Sequence, residues 1–195
     1  MSCLVVGEDG PLAAAVRAGL GAAGTRVAWA PPASSRADAE TAVAAAEEEA
    51  GALTALISCP PSAAPLAFDD LEPAAFDSTL AAAFRSPFLY TQAALPRLRA
   101  AEHGRFVYVV STFGISGEPR TAHVAAAEQA VIALMRTATL EVTPPLTANA
   151  VAIAAGERPT APDDLVDSLL WLLRPRTGYV AGQLLTLAGG AEAPA

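Results

Sequence analysis

Three polar residues between positions 111 and 128 have the types and spacing that could support acid–base chemistry. Ser111 ends an apolar, strand-like run, and His123 and Glu128 follow it in a segment with helical spacing. A histidine beside a serine can activate it as a nucleophile. A glutamate in a dry cleft can act as a general base once burial raises its pKa.

Each of these residues also has a structural interpretation. A serine at a strand end often bonds its own turn, and a histidine near a helix start often lies in solvent. We expect these roles for Ser111 and His123. Glu128 could serve as a base, reach solvent, or pair with Arg120 or Arg136, and the sequence leaves these alternatives open.

Composition excludes several classes of function. The 195 residues carry a net charge of −8, which opposes binding to phosphate backbones and anionic lipid, so we expect no nucleic-acid partner and no membrane surface. No apolar stretch approaches the roughly twenty residues of a membrane span, and no signal-peptide pattern is found, so a cytoplasmic protein is expected. Cys3 and Cys59 lie in apolar runs typical of buried thiols, and no Cys/His spacing predicts a metal site.

Short apolar runs alternate with helical segments along the chain. The predicted strands cover residues 2–7, 25–30, 53–58, 105–111, 146–153 and 179–187. The predicted helices cover residues 11–23, 37–50, 68–99, 121–143 and 163–173, with a kink at Pro87. This alternation predicts one α/β domain over residues 1–195, in which helices cover both faces of a parallel sheet.

Four segments resemble short-chain dehydrogenases/reductases in their order and spacing. They are residues 88–96, 104–114, 163–173 and 178–190, of which the second resembles the family's Gly-Arg-strand-Ser segment. The resemblance implies a three-layer, Rossmann-like, doubly wound parallel sheet of about six strands. It also implies that one βα unit and the substrate-covering loop of the family are missing, since only about twenty residues separate the second strand from the third.

The first loop matches the family's dinucleotide-binding pattern, Thr-Gly-x-x-x-Gly-x-Gly, only in part. Gly7 falls on the first glycine, whereas Pro11 and Ala13 fall on the second and third. A shift by one residue places Gly10 on the second glycine and Leu12 on the third. Pro11 has no N–H for a pyrophosphate, and the acidic residues before it oppose a phosphate at a helix N-terminus. We therefore expect no cofactor in this chain.

The family's catalytic residues are also replaced. The resemblance places the Tyr-x-x-x-Lys pair on Val124 and Glu128 and the helix asparagine on Ala83. A valine cannot transfer a proton, and a carboxylate reverses the electrostatic effect of the lysine. Arg36 could meet a 2′-phosphate but is expected to be a solvated loop residue. Hydride transfer by this chain alone is therefore not expected, and Ser111 is interpreted as a vestige of the site.

The regions 68–99 and 121–143 correspond to the two helices through which the family usually pairs, and both have small apolar faces. The resemblance implies a non-catalytic subunit that pairs with an intact short-chain reductase, in which NAD(P) is bound. Pairing with a second copy, as a ligand-binding or regulatory homodimer, is an alternative that the sequence cannot separate. Further alternatives are a weak NADP(H)-dependent oxidoreductase and a cyclase, dehydratase or isomerase that uses Ser111, His123 or Glu128.

Overall fold

The fold was examined in a computed structural model, which describes residues 1–62, 64–142, 144–154 and 159–188. The strands are β1 (Ser2–Val6), β2 (Arg26–Ala30), β3 (Ala55–Ser58), β4 (Arg105–Ser111), β5 (Thr147–Ile153) and β6 (Leu184–Leu187). The helices are α1 (Pro11–Ala22), α2 (Arg36–Ala50), α3 (Pro73–Leu80), α4 (Ser86–Ala100), α5 (Phe113–Ser116), α6 (Ala122–Glu141) and α7 (Pro162–Leu173). All strand pairs are parallel, in the order β2-β1-β3-β4-β5-β6. The α/β class and the six-stranded sheet are therefore confirmed.

Helices cover both faces of the sheet, and β4 shows why its sequence is almost uniformly apolar. Phe106, Tyr108 and Val110 pack into the core beneath α2, α4 and α6. Val107 and Val109 pack into the opposite core, beneath α1 and α7. Because successive strand residues face opposite sides, a strand covered on both faces needs an apolar residue at nearly every position.

The starts of the helices are specified locally. Proline occupies the first turn of α1, α3, α4 and α7, where its missing N–H leaves no helical bond unmade. The α2 helix begins with a capping box, in which Ser35 Oγ accepts from the N–H of Asp38 and the Asp38 carboxylate accepts from the N–H of Ser35.

The chain reverses direction across the sheet at β1. From β1 it passes through α1 to β2 on one side, and then through α2 to β3 on the other side. This reversal leaves a crevice at the carboxyl ends of β1 and β3, where open α/β sheets bind ligands. The dinucleotide-binding order 3-2-1-4-5-6 has one more strand outside β2, so the observed order agrees with the predicted loss of one βα unit.

The predicted long helix over residues 68–99 is irregular beside Pro87, where the sequence predicts a kink. Pro87 lies in the first turn of α4. The irregularity precedes it, as a π-helical segment over Ala81–Arg85 in which the N–H of Ser86 bonds the carbonyl of Ala81. Pro87 has no N–H, so in a regular α-helix the carbonyl of Ala83 would lack its hydrogen-bond donor. The wider π-helical turn therefore costs no hydrogen bond beyond the one that the proline already removes.

The last strand is shorter than predicted. It begins at Leu184, because the Asn149 side chain replaces strand pairing on its N-terminal side. Asn149 Nδ2 donates to the carbonyl of Val180 at 2.9 Å, and Asn149 Oδ1 accepts from the N–H of Gln183 at 3.0 Å.

The predicted end at Gly189–Gly190 and part of the predicted 156–162 loop lie outside the described residues. The predicted loss of the family's substrate-covering loop concerns this second stretch and therefore stays a prediction. Within the described part of the chain, no helix is both long and apolar enough to cross a bilayer.

Candidate functional site

A cleft of about 370 Å³ opens at the carboxyl edge of the sheet, at the reversal point beside β1 and β3. Its walls come from the loops after β1 and β3, the end of β4, the end of β5 and the first turns of α6. Most of the lining residues are apolar, among them Leu12, Pro61, Phe113, Val124 and Ile153. The position and the lining are those expected of a small-molecule site.

Ser111 and Glu128 meet on one wall of this cleft. Glu128 is only 2% exposed, and its Oε2 accepts a hydrogen bond from Ser111 Oγ at 2.5 Å. Its Oε1 accepts from the backbone N–H of Ser111 at 2.8 Å. Of the alternatives left open for Glu128, burial excludes exposure to solvent, and its hydrogen bonds go to Ser111 rather than to Arg120 or Arg136. The expectation that the Ser111 side chain bonds its own turn was wrong. The carboxylate satisfies both of its oxygens on the neighbouring strand end instead.

The contact depends on the short helix α5, which the sequence analysis missed. A Cβ at Gly114 would lie 2.8 Å from Glu128 Cβ, closer than such atoms approach. Glycine therefore permits α5 to lie against α6, and the Gln129 side chain donates to the carbonyl of Gly114 from the adjoining position. A Gly-rich turn after a strand was the available signal, but four residues are too few for a periodic pattern.

Burial sets the protonation of Glu128. Removal of the carboxylate from water raises the pKa of Glu128, and the hydrogen bonds from Ser111 and the Gly114 backbone offset this only in part. A carboxyl with a raised pKa that is hydrogen-bonded to a hydroxyl is a candidate for proton transfer. The pair can therefore perform acid–base chemistry without a redox partner.

His123 does not join this pair. It is 2% exposed, so its expected solvation is wrong, and its Nδ1 has no hydrogen-bond partner among the described residues. It lines an adjoining cavity of about 170 Å³, together with Ser78 and Thr79, and this cavity shares Glu8, Pro61 and Ser62 with the cleft. Neighbouring residues on a helix point about 100° apart, so while Val124 faces the cleft His123 faces away from it.

The loop after β1 is held tightly against the end of β3. Gly7 has a positive φ of 146°, and a Cβ there would lie 2.8 Å from the carbonyl oxygen of Cys59, so only glycine fits. The N–H of Gly10 bonds the carbonyl of Glu8, and Pro11 then opens α1. The Glu8 carboxylate lines the cleft, where its Oε2 accepts from the N–H of Ser62 at 3.1 Å.

The described residues of the cleft offer few groups that favour a pyrophosphate. Pro11 and the Glu8 carboxylate occupy the position where a pyrophosphate would need N–H donors, and Ala13 is buried behind them. Among the described residues, no arginine lines the cleft. The nearby Arg17 is paired with Asp9 at 2.6 Å.

The chain contains no lysine, so no lysine elsewhere can replace the one that position 128 lacks. Its three tyrosines are also placed outside the cleft. Tyr90 donates to the carbonyl of Pro31, Tyr108 is bonded to Thr91, and Tyr179 is 81% exposed.

Two other candidates have structural roles. Arg36 is the first residue of α2 rather than a loop residue, and it pairs on the surface with Glu40 at 2.7 Å. Burial raises the pKa of Cys59 to about 12, so its thiol is not a nucleophile at neutral pH. Within the described ranges, no group of three or more potential ligands is arranged to hold a metal ion.

Known proteins resemble this chain in sequence and fold. The family model for short chain dehydrogenase matches residues 1–161. A 3-ketoacyl-(acyl-carrier-protein) reductase of Brucella melitensis, complexed with NADH, superposes with a TM-score of 0.89 at 20% identity, covering 97% of each chain. A short-chain dehydrogenase/reductase of Serratia marcescens superposes with a TM-score of 0.85 at 23% identity, covering 98% of this chain and 97% of that one. No curated protein matches the sequence. At these identities the structural matches establish the fold alone.

Proposed function

The chain belongs to the short-chain dehydrogenase/reductase family, and on this premise we propose that it is a supporting subunit that pairs with an intact reductase of that family. In this proposal the chain transfers no hydride and binds no cofactor of its own. The partner binds NAD(P) and performs the chemistry. The two long helices α4 and α6 form the contact.

An exposed apolar stripe along α6 carries the proposal. It consists of the exposed Ala126, Ala133 and Leu140 and the half-buried Ala130, which recur at helical spacing on one side of the helix, with the exposed Thr137 among them. Leu140 is 87% exposed. Arg136 is the one exposed charge of α6 between the ends of the stripe. Exposed apolar stripes of this kind mark contact surfaces.

The helix α4 also exposes an aromatic side chain. Phe88 is 39% exposed there, although an aromatic side chain normally gains much from burial. Small residues on one helix and a phenylalanine on the other allow a second helix pair to approach closely and to bury an aromatic anchor. A helix pair of the same fold, as in a related reductase, has the matching shape.

The alteration of the cleft supports an intact reductase as the partner rather than a second copy of this chain. Val124 and Glu128 stand where the family resemblance places the proton donor and the lysine, and the loop at Pro11 does not suit a pyrophosphate. Pairing two such chains would leave both sites without those groups. Pairing with an intact subunit gives one complete site beside one supporting surface.

A charge placed on the stripe tests the pairing. The chain is recovered with a tag from its source cells, as the natural sequence, as Leu140→Glu and as Ala45→Glu. Ala45 is exposed on α2 and serves as the matched control. We expect a short-chain reductase to be recovered with the natural chain and with Ala45→Glu, and not with Leu140→Glu. The reason is that burial of an unpaired glutamate side chain in the contact costs free energy. Recovery of the same reductase with Leu140→Glu would remove α6 as the contact surface.

A second candidate function is favoured by the 2.5 Å contact between Ser111 and Glu128. The pair suits a proton-transfer reaction of the cyclase, dehydratase or isomerase type, which consumes no NAD(P). In the purified complex, Glu128→Gln distinguishes the two candidates. Activity that depends on Glu128 and not on the partner's cofactor supports the second, and unchanged activity supports the first. A titration of the isolated chain with millimolar NADPH separately tests weak cofactor binding.

A further inference from the structure

We infer that β2 pairs edge to edge with β2 of a second copy of this chain, which joins the two six-stranded sheets into one. The reductase partner proposed above and this second copy use different surfaces. The helices α4 and α6 pack over β3, β4 and β5, whereas β2 is the outermost strand on the far side of β1. Both contacts can therefore form in the same assembly, and the inference does not depend on the proposed function.

The edge at β2 is open because this chain has one strand fewer than the dinucleotide-binding fold. In the order 3-2-1-4-5-6 a further strand covers the second strand. Here the chain passes from β2 through α2 to β3, which lies on the other side of β1. A strand at the edge of a sheet presents a row of backbone N–H and C=O groups that can bind another strand. The shorter fold therefore provides a surface for pairing.

The hydrogen bonds to β1 show which way the backbone of β2 points. The N–H of Arg26 bonds the carbonyl of Met1 at 3.1 Å, and the carbonyl of Ala30 accepts from the N–H of Gly7 at 3.1 Å. Both residues thus direct polar backbone groups at β1. These groups point to alternate sides along a strand, so every second residue of β2 faces β1 and the residues between them face outward.

The outward-facing residues of β2 are Val27 and Trp29. Within the described ranges, no hydrogen bond uses the backbone N–H or carbonyl of either residue. Their side chains pack against the core beneath α1 and stay half-buried. Natural edges are often protected by charged side chains or prolines, but on β2 these lie at the two ends, at Arg26 and Pro31. The middle of the edge is thus open to pairing.

The spacing of the outward groups suits a second copy of the same strand. In an antiparallel pair about a two-fold axis at Ala28, Val27 of each copy lies opposite Trp29 of the other. Each copy contributes two N–H and two C=O groups, and the hydrogen bonds across the axis use all of them. Each valine also packs beside a tryptophan on the same face, which stabilises a strand pair. This self-complementarity favours a second copy over an unrelated segment.

The charges on β2 permit this pairing. Arg26 of one copy lies opposite Ala30 of the other, so the two Arg26 side chains lie at opposite ends of the paired segment. The nearby Arg17 lies over the Trp29 ring at 5.1 Å and is paired with Asp9 at 2.6 Å. Like charges of the two β2 strands therefore do not meet at the axis.

The mass of the purified full chain, measured by sedimentation over a concentration series, tests the pairing. We expect a monomer–dimer equilibrium for the natural chain and for Val27→Thr, which keeps the N–H and a β-branched side chain. Val27→Pro removes one outward N–H from each copy and leaves the bonds to β1 in place, so it should weaken the dimer at least about tenfold. Leu140→Glu on α6 should leave the dimer unchanged.

Three results would overturn the inference. They are a natural chain that stays monomeric up to about 1 mM, a dimer that Val27→Pro does not weaken, and a dimer that Leu140→Glu abolishes. The last result would place the contact on α6 instead. These measurements use the chain without its reductase partner, so they can fail while that pairing holds, and the reverse.

An engineered disulfide locates the two-fold axis. In the proposed register the two Ala28 residues form a non-hydrogen-bonded pair with Cα atoms about 4.5 Å apart, which suits a disulfide. Ala28→Cys should therefore give a covalent dimer when oxidised glutathione accepts the electrons of the two thiols. Ala30→Cys is the control, because Ala30 is also buried on the same face but the two copies of it lie roughly 14 Å apart, at about 3.4 Å per residue.

The native thiols of Cys3 and Cys59 are buried, and the natural chain under the same oxidant controls for them. A dimer from Ala28→Cys alone supports the proposed register. No covalent dimer from Ala28→Cys, or an equal yield from Ala30→Cys, contradicts it. This pair of variants still decides the inference if Val27→Pro fails to fold.

Discussion

The two ends of the parallel sheet each bury an ionisable side chain, and they use it in different ways. At the amino end, Arg105 is 1% exposed and directs its guanidinium at four backbone carbonyls, those of Gly104, Pro145, Arg174 and Pro175. At the carboxyl end, Glu128 accepts two hydrogen bonds from Ser111 and borders the cleft. Burial lowers the pKa of Arg105 and raises that of Glu128, because burial disfavours the charged form in both cases.

The difference shows which end is built for stability and which is available for binding. The bonds of Arg105 join the start of β4 to the chain before β5 and to the end of α7, and they leave few of its donors for a ligand. The serine that holds Glu128 has oxygen lone pairs that can still face a ligand. Polar groups at the carboxyl edge are thus kept near a cleft, while those at the amino edge serve the fold.

Removing the buried guanidinium should have the largest effect. Arg105→Met leaves four carbonyls without their donor and should lower the free energy of unfolding by about 3 to 4 kcal/mol in urea denaturation. Arg36→Met, which removes an exposed pair, should change it by less than about 0.5 kcal/mol. A loss below about 1 kcal/mol for Arg105→Met would mean that the amino edge does not depend on this residue.

A Cβ at Gly114 tests the other end. Gly114→Ala should push α5 away from Glu128 and cost about 1 to 3 kcal/mol, because a rigid backbone segment must move. Gly21→Ala is the control, since its Cβ would meet nothing within 4 Å and should stabilise α1 by up to about 1 kcal/mol. Equal stability of the two variants would argue against close packing of α5 on α6.

The pH dependence of stability isolates Glu128. Its folded pKa lies above its ordinary value of 4.5, so the unfolded chain ionises first as the pH rises. The stability contributed by the protonated residue is therefore complete below pH 4.5 and is lost as the pH rises through the folded pKa. The loss is about 1.4 kcal/mol for each pH unit that separates the unfolded from the folded pKa. Glu128→Gln should remove this loss, which paired denaturation curves from acid to neutral pH can measure. A variant and natural chain with parallel pH profiles would show that burial does not perturb the carboxyl.

The smallest effect is expected from repairing the loop. Pro11→Gly restores an N–H at the start of α1, but the carboxylates of Glu8 and Glu128 stay in the cleft. The dissociation constant for NADPH should therefore remain above about 1 mM, corresponding to less than about 4 kcal/mol of binding free energy. Fluorescence titration of the variant against the natural chain measures this. Micromolar binding by Pro11→Gly would make the proline alone responsible for the loss of the cofactor.

Much of the fold could be predicted because the strands and helices have uniform local patterns. The all-apolar run over β4 and the helical spacing of α6 identify those elements correctly to within two residues at each end. The shortened β6 could not be predicted, since it depends on the Asn149 side chain from another strand. The interrupted helix before α4 depends on how Pro87 is accommodated, and its sequence does not choose between a kink and a wider turn.

The site was harder to predict than the fold. Ser111, Glu128 and the altered loop at Pro11 were recognised from the sequence. The hydrogen bond between Ser111 and Glu128 spans 17 residues and exists only because Gly114 lets two helices meet. The burial of His123 likewise depends on tertiary packing around its helix face. The absence of lysine, by contrast, was visible in the sequence throughout.

The native mass of the complex that the tagged chain forms in its source cells tests the central claim most directly. We predict a stoichiometric assembly of this chain with a short-chain reductase that carries Tyr-x-x-x-Lys, with all NAD(P)-dependent activity lost when that partner's tyrosine is replaced. Recovery of the chain alone, or only with copies of itself, would contradict the account.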